Sequence, residues 1–343
     1  MKIGLKQYAY LLFLCIVLSF CGGCTNEEQN DTIKTSVEES SYVSTEKRQV
    51  QETESEEETQ AERMLLSGLK QAGISEYTKI DLSKYEELTG VSLEEDYVSY
   101  QFFYESDGLQ IEAFIVAPLS LLETGEKQPI LIYNHGGNRD FGCIDEGGMV
   151  VARCAYLFQT ICIATNYRGC GNSEGQDGFG GEDVNDVIHL IDLCENLPYV
   201  DANQMNMLGM SRGGMMTYET LRVDDRIHRA VVFAGMADAF AAYEARELEM
   251  KQVFEDLIGG TPEQMPEEYE KRSATYWAEE IKTPLLLVHA TGDPRVDISQ
   301  AASLADKLEA TGLEFEAIFY DADVHGNLRR EEAEKMAEWF RKE

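Results

Sequence analysis

The stretch Gly209-Met210-Ser211-Arg212-Gly213 constrains this chain more than any other. It reads G-x-S-x-G. The apolar run Gln204 to Leu208 before it predicts a short buried strand, and Gly213 to Leu221 after it predicts a helix. Strand, sharp turn and helix together push a serine hydroxyl out at the top of a parallel sheet. The flanking glycines fit such a turn, where the backbone is strained and a Cβ has no room.

An acid and a histidine follow the serine in a telling order. Asp293 lies just past the apolar run Pro284 to Val288, and His325 just past Phe315 to Tyr320. A serine hydroxyl is a weak nucleophile until a base takes its proton. His325 is the candidate base, and Asp293 is the candidate acid that orients its ring and stabilises the imidazolium. Asp297 competes for the acid role but reads as a cap or first-turn acid of the next helix, and Asp321 and Asp323 sit too close in sequence to His325. Such chemistry needs two N–H donors for the developing oxyanion. The residue after the nucleophile, Arg212, supplies one, and Gly137 in His135-Gly136-Gly137-Asn138 supplies the other, with Asn138 as its neighbouring candidate. His135, His189, His228 and His289 form no metal-type spacing with carboxylates, so no metal is expected.

Alternation at 97–104 and 109–116 around Asp107-Gly108 predicts an antiparallel hairpin. Short apolar runs at 129–133, 160–164, 204–208, 229–233, 284–288 and 315–320 predict strands buried on both faces. Helical segments lie between them at 183–196, 213–221, 299–311 and about 328–341. The expected fold is α/β, a mostly parallel sheet of about eight strands with helices on both faces. Residues 237–280 break the rhythm and read as a helical insertion over the carboxyl edge of the sheet, or else as a long crossover. Arg168 reads as a bidentate tie to a carboxylate, and Asp183 as the N-cap of the helix that follows it.

These motifs carry a resemblance. His135-Gly136-Gly137, Asn166-Tyr167-Arg168-Gly169, Phe179-Gly180-Gly181-Glu182-Asp183, Gly209-Met210-Ser211-Arg212-Gly213-Gly214, Gly292-Asp293-Pro294-Arg295-Val296 and Val324-His325-Gly326 resemble an α/β-hydrolase of the prolyl-oligopeptidase-like type, over residues 97–343. The resemblance implies a cofactor-free serine hydrolase that cleaves peptide or amide bonds through an acyl-enzyme. Arg212 stands where many peptidases of that family carry Tyr, and only a tether and a short leader precede this region. A carboxylesterase acting on acyl esters therefore stays as the alternative. A non-catalytic binding protein on the same fold is the third reading, and the presence of Ser211, Asp293 and His325 together argues against it.

The N-terminus adds an address. Lys2 and Lys6 precede an apolar run from Tyr8 to Phe20, and then come Cys21-Gly22-Gly23-Cys24. Residues 1–24 resemble a bacterial lipoprotein signal with Cys24 as the lipidated residue. Residues 25–62, rich in Glu, Ser and Thr, are expected to form a disordered acidic tether, and residues 63–96 a helical leader. The expected location is the extracytoplasmic face of the cell membrane, with the lipid anchor as the membrane contact. The remaining cysteines are Cys143, Cys154, Cys162, Cys170 and Cys194, an odd number whose pairing the sequence does not assign. A net charge of −34, from 29 Lys and Arg against 63 Asp and Glu, argues against nucleic acid as a partner. The expected partner is a small peptide or ester substrate.

Overall fold

The computed structural model describes residues 58–342. The expected signal segment 1–24, with Cys24, and nearly all of the tether 25–62 lie outside the described residues.

In chain order the elements are α1 Gln60–Gln71, β1 Tyr77–Lys79, α2 Ser83–Thr89, β2 Tyr97–Ser106, β3 Leu109–Pro118, α3 Leu119–Leu122, β4 Gln128–Asn134, α4 Met149–Phe158, β5 Ile161–Thr165, α5 Asp183–Glu195 and β6 Val200–Met210. There follow α6 Arg212–Val223, β7 Arg229–Phe233, α7 Ala239–Ala245, α8 Leu248–Ile258, α9 Pro266–Lys271, β8 Leu285–Ala290, α10 Ser299–Glu309, β9 Phe315–Tyr320 and α11 Arg330–Phe340. The strands form one nine-stranded sheet in the order β1-β2-β3-β5-β4-β6-β7-β8-β9. Pairing is antiparallel from β1 to β5 and parallel from β5 onward.

The β2–β3 hairpin closes on Asp107 and Gly108, both with positive φ (52° and 81°), so the turn twists with its strands. The central strands show why the sheet is buried on both faces. Ile130 and Ile132 of β4 point into one core and Leu131 and Tyr133 into the other. Ile161 and Ile163 of β5 split from Cys162 and Ala164 in the same way. One core packs against α1, α5, α6 and α10, the other against α2, α4 and α11. Each fully buried aliphatic side chain contributes about 1.5–3 kcal/mol of transfer free energy.

Two elements depart from the sequence expectation. The leader 63–96 is not helical throughout: β1 pairs antiparallel with β2, adding a ninth strand at the edge of the sheet. Its three residues are too few to show a period of two. Helix α4 was not expected between β4 and β5. Its sequence MVVARCAYLF is apolar almost all round, because it lies between the sheet and α11, where Phe158 meets Phe340 edge to face. Such a run carries no amphipathic stripe to read.

Candidate active site

Ser211 sits between β6 and α6 at φ 58°, ψ −122°, a backbone conformation that side-chain-bearing residues rarely adopt. Strain of this kind costs on the order of 1–3 kcal/mol and persists only where the surroundings over-determine it. Here Ser211 N–H donates to Phe233 O at 3.1 Å, and Ser211 O accepts from Gly214 N–H at 2.9 Å and Met236 N–H at 3.2 Å. The glycines answer to close approach. A Cβ on Gly209 would stand 2.2 Å from Gly213 O, and one on Gly213 would stand 2.0 Å from Asn134 O.

Three strand ends converge on this turn. His325, in the loop after β9, places Nε2 3.0 Å from Ser211 Oγ. Its Nδ1 lies 2.8 Å and 3.0 Å from the two carboxylate oxygens of Asp293, in the loop after β8. The tautomer that satisfies both partners donates from Nδ1–H to Asp293 and accepts the Ser211 O–H at Nε2. Asp293 Oδ1 also accepts from the N–H groups of Arg295 (2.8 Å) and Val296 (3.0 Å). Burial alone would raise the Asp293 carboxyl, but the hydrogen bonds from His325 and the Val296 N–H outweigh it and hold it below the ordinary carboxylate range. Buried His289, pushed down by burial, hydrogen-bonds Val296 O through Nε2 at 2.8 Å and steadies the same loop.

The loop after β4 runs alongside. Gly137 has φ 90°, and a Cβ there would meet Phe141 O at 1.8 Å. Asn138 N–H is engaged by Phe141 O at 2.9 Å. Gly137 N–H and Arg212 N–H have no acceptor among the described residues. Gly137, Arg212, Ser211 and His325 all line one cleft of about 810 Å³. The segment 237–280 forms part of its wall: Ala241, Ala242, Ala245, Met250 and Phe254 from α7 and α8, and Arg246 between them, line the cleft. Three other aromatics of that segment pack it down, while Tyr276 stays exposed. Tyr243, Tyr269 and Trp277 bond to Glu255, Gly260 O and Glu270 O.

The remaining candidates settle elsewhere. Arg168 grips Asp186 through Nε and Nη2 and reaches Asp107. Asp183 is not an N-cap. It lies inside the first turn of α5, and its carboxylate turns back to accept from Gly178 and Gly180 N–H and from Arg212 Nη2. Buried Arg212 draws it away from the helix end. Asp297 accepts from Ser299 N–H just before α10. Cys143 and Cys170 form a disulfide that joins the loop after β4 to the loop after β5, while Cys154, Cys162 and Cys194 are buried free thiols. Sequence reasoning missed Asp177, which pairs with the Arg212 guanidinium at 2.6 Å. The only signal for it was the glycine-rich setting Asp177-Gly178-Phe179-Gly180-Gly181.

Comparison with known proteins agrees with this architecture. The chain is 29% identical over 227 residues to the uncharacterized peptidase YtmA of Bacillus subtilis, covering 66% of this chain and 85% of that one. It is 25% identical over 242 residues to dipeptidyl-peptidase 5 of Porphyromonas gingivalis, covering 66% of this chain but only 34% of that protein. Among solved structures, the acylaminoacyl peptidase of Pyrococcus horikoshii superposes with a TM-score of 0.59 at 20% identity, over 72% of this chain and 42% of that chain. The chain thus spans well under half the length of the larger peptidases it matches, and the shared fold is the α/β-hydrolase fold. The prolyl oligopeptidase family model matches residues 154–343, more than half of the sequence, and the chain belongs to that family.

Proposed function

We propose that the protein is a lipid-anchored, extracytoplasmic serine peptidase that cleaves peptide or amide bonds through an acyl-enzyme. The observation that carries the reading is the unbroken hydrogen-bonded chain from Ser211 Oγ through His325 to Asp293, at the head of a cleft. In the first step Ser211 Oγ attacks the substrate carbonyl carbon while His325 Nε2 takes the hydroxyl proton. Charge grows on the carbonyl oxygen, which Gly137 N–H and Arg212 N–H are free to receive. The leaving amine takes the proton from His325 as the tetrahedral adduct collapses. Water then repeats the sequence on the acyl-serine, with His325 again as base.

Family membership and the names of the peptidase relatives support peptide over ester substrates. The Cys143–Cys170 disulfide supports an oxidising compartment, consistent with the lipoprotein-like residues 1–24. The test is covalent labelling by a fluorophosphonate probe, followed by turnover of aminoacyl anilides and short acyl esters side by side. Labelling at Ser211 with anilide turnover is the expected result. Labelling with ester turnover alone makes the protein a carboxylesterase, and an Ser211→Ala variant that still labels overturns the nucleophile assignment.

A further inference from the structure

The Arg212 side chain does something its N–H does not. The guanidinium is buried and covered by the rings of Tyr167 and Phe179, 5.2 Å and 4.9 Å from its carbon. Nη1 donates to Asp177 Oδ2 at 3.0 Å and to Gly137 O at 3.3 Å. Nη2 donates to Asp177 Oδ1 and to Asp183 Oδ2, each at 2.6 Å. Asp177 Oδ2 also accepts from Arg139 N–H at 2.6 Å. The loop carrying Gly137 is therefore held at two points, Gly137 O and Arg139 N–H. Both lead back to the residue whose own N–H is the other oxyanion donor.

We propose that the Arg212 side chain, braced by Asp177, is a positioning residue that sets the separation and direction of the Gly137 and Arg212 N–H groups. This inference rests on the reading of Ser211 as nucleophile. Glycine at φ 90° has soft alternatives, so holding its carbonyl also limits where its N–H points. Oxyanion donors act only when aimed at the oxyanion's own position, and sites a fraction of an ångström loose lose their effect. A planar guanidinium meets a carboxylate through two fixed N–H groups while Nη1 also reaches a carbonyl, and an ammonium on a flexible stem does not reproduce that fixed geometry. The two carboxylates also keep the buried cation paired, so it does not stand alone beneath the site.

Asp177→Asn and Arg212→Lys in the full chain test this. Active sites are first titrated with a fluorophosphonate. Then kcat and KM are measured on a substrate the wild type turns over, with the inhibition constant of a substrate-derived boronic acid that forms a tetrahedral adduct on serine. The expected result is a fall in kcat per titrated site of about 10²-fold. KM should stay within about threefold, and the boronate should weaken in parallel with kcat. Should Arg212→Lys fail to fold, the near-isosteric Asp177→Asn decides. The inference is overturned if kcat per titrated site in Asp177→Asn equals wild type, or if the loss falls only on KM or thermal stability. A wild-type protein that the fluorophosphonate does not label overturns the nucleophile reading and this one with it. A labelled wild type beside an unaffected Asp177→Asn overturns this one alone.

Discussion

Two buried carboxylates of this protein are pushed in opposite directions. In the proposed mechanism Asp293 stays ionised beside His325, and the hydrogen bonds from His325 and from the N–H groups of Val296 and Arg295 hold it there. Asp293→Asn keeps the shape but removes the charge and disturbs the tautomer, so kcat should fall about 10⁴-fold. Combined with Ser211→Ala it should add little further loss, because the residues act as a unit; steady-state kinetics on the single and double variants checks both statements. Glu219, inside α6, shows the opposite case. Its Oε2 accepts from Gly181 N–H at 2.9 Å, its Oε1 has no hydrogen-bond partner among the described residues, and burial pushes its carboxyl up to about 7. A carboxyl whose folded pKa lies above its unfolded value favours folding below the unfolded value, near 4.5, and loses that contribution as pH rises toward about 7. The loss is on the order of 3 kcal/mol at most. Glu219→Gln keeps an acceptor for Gly181 and should raise the melting temperature clearly more at pH 8 than at pH 5. Thermal denaturation at the two pH values reads this directly, and equal shifts at both would show that Glu219 is not titrating in the fold.

At the scale of elements, the wall built by α7 and α8 is the part most able to set substrate size. Removing the whole segment would take out buried Phe254 and Tyr269 and the bonds from Arg272 to the carbonyls of Gly178 and Phe179. A narrower change is cleaner. Ala245 is exposed and lines the cleft, so Ala245→Trp adds bulk there without disturbing a core. It should lower kcat/KM for bulky anilides at least about tenfold and leave a short acyl ester little changed. An unchanged ratio between the two would make α7 and α8 only a crossover. The inner parallel strands were legible in the sequence because each is a short apolar run between turn signals; β9, expected to be buried on both faces, is instead a largely exposed edge strand paired with β8 alone. The ends of β6, β8 and β9 bring Ser211, Asp293 and His325 into one place. What escaped was shaped by tertiary contact. β1 owes its extension to β2, and α4 is apolar on nearly every side. The Arg212–Asp177 grip joins loops without any periodicity, and only folding makes them neighbours.

At the scale of the whole molecule, the disulfide and the N-terminal sequence both support the proposed extracytoplasmic location. Cys143–Cys170 closes a loop across 27 residues and ties together the loops after β4 and β5, which carry Gly137 and Asp177. A loop of that length gives about 3–4 kcal/mol in the chain-entropy account. Reductant or Cys170→Ser should therefore lower the melting temperature, with activity falling as those loops loosen. Such a bond would be at risk in a reducing cytoplasm, which fits the proposed export. The proposed anchor supplies the rest: cleavage before Cys24 and lipid on its thiol, with the acidic stretch 25–62 between lipid and catalytic domain. A single acyl chain binds membranes only marginally, so stable retention calls for more than one. Fractionation and intact mass of wild type and Cys24→Ala test this. The wild type should sit in the membrane fraction with a mass that starts at Cys24 and includes lipid. The variant should lose both the lipid and the processed mass. A variant that stays membrane-bound at the wild-type mass would mean that residues 1–24 hold the protein by some means other than lipid on Cys24.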